Sequence, residues 1–282
     1  MDRIRKALDL ARQERDRAFY PDVRAVTIDP EAKAHLTSEP SRSAPGLPAH
    51  IVYTHTRVFG PDAAALESKR IVDPAGNGAA VAAFRMLRTQ VIQRMDENGW
   101  RTMAVLSPGA NDGKTTTAIN LAVSLANDHR HTVLLVDCDL RQPSVGGTLG
   151  INPEFGVDDL LQGNARIEQC LYHPEGFDRL VVLPARAPLA GSSEALAGPH
   201  GRALVADLRD RYPERIVVFD LPPVLGADDA LAFLPLVECA LVVIAERVTP
   251  RDDLLRCMEL LRKTPILGTV LNKATDVSSG YG

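Results

Sequence analysis

Residues 107–126 read SPGANDGKTTTAINLAVSLA. A glycine-bearing loop runs into Lys114 and Thr115, and apolar periodicity predicts a helix over 115–128. Upstream, RTMAVLS (101–107) reads as a strand entering the loop. Strand, loop, Lys-Thr and helix is an order that offers backbone N–H groups and a helix N-terminus to phosphate oxygens. In such a loop Lys114 reaches the β- and γ-phosphates, and the Thr115 hydroxyl ligates Mg²⁺. Gly113 lets the backbone approach the ligand closely. The strict spacing G-x-x-x-x-G-K-[ST] is not met, because Pro108 stands at the first Gly position and Gly109 lies one residue too near Gly113. The flanking strand and helix carry the reading nonetheless. The expected nucleotide contacts are Gly109, Ala110, Asn111, Asp112, Gly113, Lys114, Thr115 and Thr116.

Two acid-ended strands follow. In HTVLLVDCDL (131–140) a buried apolar run delivers Asp137 and Asp139 to the carboxyl edge of a sheet, where open α/β sheets bind ligands. The period of two puts both carboxylates on one side. Two close acids repel unless a cation or a reacting proton offsets the repulsion. Mg²⁺ ligation and proton acceptance are the functional readings, and capping of the next turn is the plain one. In RIVVFDLPP (215–223) Asp220 ends another apolar strand and holds Mg²⁺ directly or through water. Thr115, Asp137 and Asp220 form the expected metal set.

Further apolar runs at 179–185 (RLVVLPA), 239–246 (CALVVIAE) and 266–273 (ILGTVLNK) read as strands. Helices are predicted over 199–212 and 250–262, and AAVAAFRMLRTQVIQRM (79–95) places Val81, Phe84, Leu87, Val91 and Met95 on one face. Continuous β-branched runs alternating with helices predict a doubly wound, mostly parallel α/β sheet of the phosphate-loop NTPase type. Residues 79–282 make that domain, ending in a tail at 274–282. Before it, residues 1–18 read as an amphipathic helix with Ile4, Ala7, Leu8 and Ala11 in register. Residues 19–78 read as a partly disordered linker containing SEPSRSAPGLPAH, with HIVYTHTRV and SKRIV as short extended pieces.

Composition narrows the function classes. The 282 residues are 45% hydrophobic, enough for a sizeable core, and the net charge of −4 argues against a nucleic-acid partner. No apolar run approaches the roughly 20 residues of a membrane helix, and MDRIRKALDLARQERDR is too charged for a signal peptide. A cytoplasmic location is expected, with any membrane role supplied by a partner. Cys138, Cys170, Cys239 and Cys257 lack metal spacing, as do the seven histidines.

Together SPGANDGKTTTAINLA, VLLVDCDLRQPSV and IVVFDLPPVLGADDALAF resemble the bacterial tyrosine kinases of exopolysaccharide and capsule synthesis, relatives of the Min-system and partition ATPases. FRMLRTQV upstream and GTVLNKA downstream fit the same family. The resemblance implies an ATP- and Mg²⁺-dependent tyrosine autokinase that regulates polysaccharide polymerisation or export. It assigns Lys114 and Thr115 to Walker A, Asp137 and Asp139 to the Walker A′ acids and Asp220 to Walker B. One of the Walker A′ acids would help deprotonate the tyrosine. Asn272 matches the residue that reads the adenine edge, and Arg141 sits where the family carries a basic residue. The implied partner is the cytoplasmic tail of a membrane chain-length regulator.

Departures from the family pattern keep a second reading open. The family's terminal tyrosine cluster is reduced to Tyr281, while Tyr20, Tyr53, Tyr172 and Tyr212 are dispersed. Family rings use Glu-x-x-Arg-x-x-Arg, and here Arg85 and Arg88 follow Ala82. Either Arg85 and Arg88 still meet a neighbouring copy in a weakened homo-oligomer, or they lie on a solvated helix face. The alternative function is an ATP-dependent switch without kinase activity. A partition or septum-positioning ATPase ranks third.

Overall fold

The computed structural model describes residues 56–274. The expected N-terminal helix 1–18, most of the linker and Tyr281 lie outside the described residues. Eight strands form one sheet: β1 Arg57–Phe59, β2 Thr102–Leu106, β3 Thr132–Asp137, β4 Tyr172–Pro174, β5 Leu180–Leu183, β6 Arg215–Asp220, β7 Cys239–Ala245 and β8 Ile266–Asn272. Their spatial order is β1-β4-β5-β3-β6-β2-β7-β8. All neighbouring pairs are parallel except β4 with β5. The connection at 175–179, turning at Gly176 with φ +84°, is too short for a crossover helix, so it returns the chain antiparallel. No described helix is long and apolar enough to cross a membrane.

The central strands are buried on both faces, and alternate residues feed two cores. Met103, Val105, Val133, Leu135, Ile216 and Val218 pack in one cluster with Val91, Ile92 and Met95 of the helix Ala79–Asn98 and with Ile119 and Leu121 of the helix Lys114–Ala126. Ala104, Leu106, Leu134, Val136, Val217 and Phe219 join the opposite cluster with Val205, Leu208 and Phe233. Each large apolar side chain buried this way contributes about 1.5–3 kcal/mol. The double burial explains why these strands read as unbroken apolar runs rather than alternating ones.

Two details correct the sequence reading. The sheet reaches back into the expected linker, where β1 pairs with β4 through Arg57 N–H donating to the Leu171 carbonyl at 3.1 Å. SKRIV is not extended from its start: the helix Ala63–Ser68 covers its first residue, and Arg70 turns with φ +61°. Buried Asn120 fixes the segment that follows, accepting from Val72 N–H at 2.8 Å and donating to the Arg70 carbonyl at 2.9 Å. A side chain from a distant helix therefore supplies the partners that a strand would have drawn from a sheet.

Candidate active site

Strands β3, β6 and β2 lie side by side, so their carboxyl ends bring the phosphate loop, Asp137 and Asp220 together. Asp137 and Asp220 are direct register partners. A cleft of about 750 Å³ opens there. Ala110, Asn111, Gly113, Lys114, Thr115, Thr116, Asp139 and Arg141 all line it.

Lys114 is the hub. Its Nζ donates to Asp139 Oδ2 at 2.6 Å and to Thr115 Oγ1 at 3.2 Å, and lies 3.9 Å from Asp220 Oδ1. Burial opposes its charge, but Asp220 and Asp139 outweigh burial and hold the ammonium above its ordinary pKa. The Thr115 hydroxyl donates to Asp220 Oδ2 at 2.6 Å. The other oxygen, Asp220 Oδ1, is buried without a hydrogen-bond partner. Burial pushes the Asp220 carboxyl up, against the pull of Lys114 and the Thr115 hydroxyl.

Asp137 is fully buried and occupied by backbone. Oδ1 accepts from Asp139 N–H at 3.2 Å, and Oδ2 accepts from Ser144 and Val145 N–H, both at 3.0 Å. Burial, and then the charge of Asp220, raise its carboxyl far above the aspartate range. Its neighbour Asp139 faces the cleft instead. Asp137 and Asp139 thus have different surroundings: Asp137 organises the turn, and Asp139 is presented beside Lys114.

Residues donating Mg²⁺-compatible oxygens are present: the Thr115 hydroxyl, Asp220 with its unpartnered Oδ1, and Asp137 behind them. No group of three or more His, Cys, Asp or Glu that could hold a metal alone occurs among the described residues. Mg²⁺ is commonly bound through one or two carboxylates completed by substrate phosphates. The donor set fits that mode.

Asp112 and Asn272 shape the loop rather than line the cleft. Asp112 is buried, accepting Gly109 N–H at 3.0 Å and the Thr249 hydroxyl at 2.7 Å. The Asn272 amide donates to the Asp112 carbonyl at 2.9 Å and lies over Gly113. Asn272 therefore buttresses the loop here and is not among the residues lining the cleft. Arg141 lines the cleft, with Nε donating to buried Asp229 at 2.7 Å and Nη2 to Asp228 at 3.2 Å. Arg85 donates to the carbonyls of Pro74 and Gly76, and Arg88 to that of Ser124.

Some cleft residues were not singled out from sequence. Arg186 lines the cleft and grips Asp159 with two bonds, at 2.9 and 3.1 Å. Ser144 contacts the Thr115 hydroxyl at 3.3 Å. Neither carries a spacing signal, because the fold joins them to the loop from distant segments.

The model of the AAA domain family matches residues 101–250, which span the phosphate loop and both acid-ended strands. The chain belongs to the AAA domain family. Within this AAA-domain chain the similarity to bacterial tyrosine kinases is extensive. It is 27% identical over 202 residues to the tyrosine-protein kinase YwqD of Bacillus subtilis (strain 168), covering 71% of this chain and 84% of YwqD. It is 30% identical over 220 residues to the succinoglycan biosynthesis transport protein ExoP of Rhizobium meliloti (strain 1021), covering 74% of this chain but only 27% of ExoP. Against the chromosome-partitioning ATPase Soj of Thermus thermophilus identity is 41%, over 126 residues, covering 45% of this chain and 47% of Soj. The crystal structure of the VpsO kinase domain superposes with a TM-score of 0.62 at 30% identity, covering 69% of this chain and 95% of that one. The resemblance to the bacterial tyrosine kinases and the mostly parallel phosphate-loop NTPase fold are both established by these matches.

Proposed function

We propose that this AAA-domain protein is a Mg·ATP-dependent tyrosine autokinase regulating exopolysaccharide or capsule synthesis and export. The observation that carries the reading is the cluster of Lys114, Thr115, Asp139 and Asp220 at one sheet edge, with Asp220 Oδ1 unpartnered. The tyrosine-kinase name of YwqD and the kinase-domain title of VpsO support the reaction, and the name of ExoP supports the polysaccharide context.

ATP would enter with its phosphates on the backbone of residues 110–116. Lys114 would exchange Asp139 for the β- and γ-phosphates, keeping a buried cation paired throughout. Thr115 and Asp220 would hold Mg²⁺, which supplies neutralisation of charge on the transferring phosphoryl group. A phenol oxygen forms a bond to the γ-phosphorus, the bridging bond to the β-phosphate breaks, and ADP leaves. The phenolic proton passes to Asp139, the Walker A′ acid that faces the cleft. Asp137 holds the turn that presents Asp139.

Tyr281 is the proposed acceptor, and the proposed partner is the cytoplasmic tail of a membrane chain-length regulator. The cytoplasm is the proposed location. Peptide mapping after incubation with Mg·ATP tests the acceptor. Phosphate is expected on Tyr281, absent in Tyr281→Phe and in Lys114→Met. Unchanged phosphorylation in Tyr281→Phe would reject that acceptor.

A second reading has its own observation. Arg85 and Arg88, the remains of the family's ring motif, are engaged with carbonyls of their own chain. A protein without rings that binds ATP and changes its contacts with a membrane partner would fit this. Nucleotide binding without phosphotyrosine in any condition would favour that switch. The partition-type reading rests on the shorter match to Soj and ranks below both.

A further inference from the structure

The three strands that deliver the nucleotide residues have another end. Arg101 directly precedes β2, His131 directly precedes β3, and Arg215 is the first residue of β6. Because these strands are adjacent and parallel, the three basic residues gather at the amino edge of the sheet, opposite the edge that carries Lys114. They line a pocket of about 280 Å³, joined by Arg130 and Trp100.

Several donors in this pocket are under-used. The ion pair of Arg101 with Asp210 is loose at 3.6 Å. Arg130 holds Asp128 through Nε and Nη2, while its Nη1 lies 3.7 Å from Asp96, beyond hydrogen-bond range. His131 Nε2 is buried without a hydrogen-bond partner. The guanidinium of Arg215 is held over the Tyr212 ring at 4.0 Å, which fixes its orientation. Asp96 and Glu214 also line the pocket. Half-buried Trp100 and, behind it, fully buried Met95 add an apolar wall. Guanidinium forks recognise carboxylate and phosphate oxygens, and an indole face accepts the C–H surface of a ring.

We propose that this pocket is a second, non-catalytic binding site for a small ring-bearing oxyanion: a sugar carrying a phosphate or carboxylate. Arg101 and Arg130 bind the oxyanion, His131 adds a polar contact, and Trp100 packs on the ring. Its volume lies just below the usual range for drug-sized ligands, which suits a monosaccharide. The site is separate from the nucleotide cleft and does not depend on the kinase reading.

Trp100 is the only tryptophan in the sequence, so its fluorescence reports the pocket directly in the full chain. Glucose 1-phosphate, glucuronate and glucose are titrated at low salt, each against the wild type, the double variant Arg101→Gln/Arg130→Gln, and Lys114→Met. A saturable change with a charged sugar and none with glucose is expected. Its affinity should fall at least about tenfold in the double variant and persist in Lys114→Met. The stronger of the two charged sugars identifies phosphate or carboxylate as the natural group. Both arginines are partly exposed, and circular dichroism melting of the double variant checks that its fold is kept. No saturable change with either charged sugar overturns the proposal. An equal response to glucose, or full affinity in a folded double variant, overturns it too.

Discussion

Gly113 shows how one residue limits the whole site. It adopts φ +90°, and a Cβ there would meet Asn272 Nδ2 at 2.0 Å. Gly113→Ala must accept a left-handed backbone, costing about 1–2 kcal/mol, and must push the Asn272 amide off the Asp112 carbonyl. A lower Tm together with weakened nucleotide binding is expected, measured by thermal melting and calorimetry. Unchanged nucleotide affinity would mean that the loop does not need this geometry. The buried acids give a second prediction. Burial and the charge of Asp220 raise the Asp137 carboxyl in the folded protein above the ordinary value of about 3.9 at which an unfolded aspartate releases its proton. Between the unfolded and folded values the unfolded chain binds fewer protons, so stability falls as pH rises, by about 1.4 kcal/mol per pH unit for one such proton. Above the folded value the loss is complete. The Tm of nucleotide-free protein should decline across that window, and Asp137→Asn should flatten the decline. A slope unaltered by Asp137→Asn would show that this carboxyl does not titrate with folding.

At the scale of elements, legibility followed burial. The central strands were readable because they are apolar on both faces, and Asp137 and Asp220 fall at the strand ends where the spacing put them. Lys114 and Thr115 open their helix as the loop pattern implied. Short elements at the sheet margin were harder to read. β1 and β4 are three-residue strands whose pairing comes from a turn and a neighbour rather than from their own pattern. Arg186 enters the cleft by tertiary folding, and Asp159 and Asp229 hold Arg186 and Arg141 from outside it, so nothing in local spacing marks them. The role of Asn272 as a brace for Asp112 and Gly113 was not legible, because its partners come from a distant loop. The Asn120 contacts to residues 70 and 72 illustrate the same limit, since a polar residue in a helix gives no hint of which distant backbone it serves. Asn120→Ala leaves those backbone groups unpaired beside the core and should destabilise the protein by about 1–3 kcal/mol. Urea unfolding measures this, and hydrogen exchange at the Val72 amide should accelerate. Unchanged exchange there would deny Asn120 its role in fixing the segment.

For the molecule as a whole, the strand order joins separate pieces of chain into one reactive edge. Placing β6 between β3 and β2 sets Asp220 beside both Asp137 and the phosphate loop. The same order gathers Arg101, His131 and Arg215 at the far edge, so one sheet presents acids and the phosphate loop at one end and basic groups at the other. Lys114, Thr115 and Asp220 together form the proposed Mg²⁺-nucleotide site, in which the unpartnered Asp220 Oδ1 would serve the metal. Isothermal titration of ATP into the full chain, with Mg²⁺ and with EDTA, tests it most directly in the wild type, Lys114→Met and Asp220→Asn. Binding strengthened by Mg²⁺ is expected in the wild type, loss in Lys114→Met, and binding in Asp220→Asn that no longer responds to Mg²⁺. Tight, Mg²⁺-dependent binding retained in both variants would contradict it.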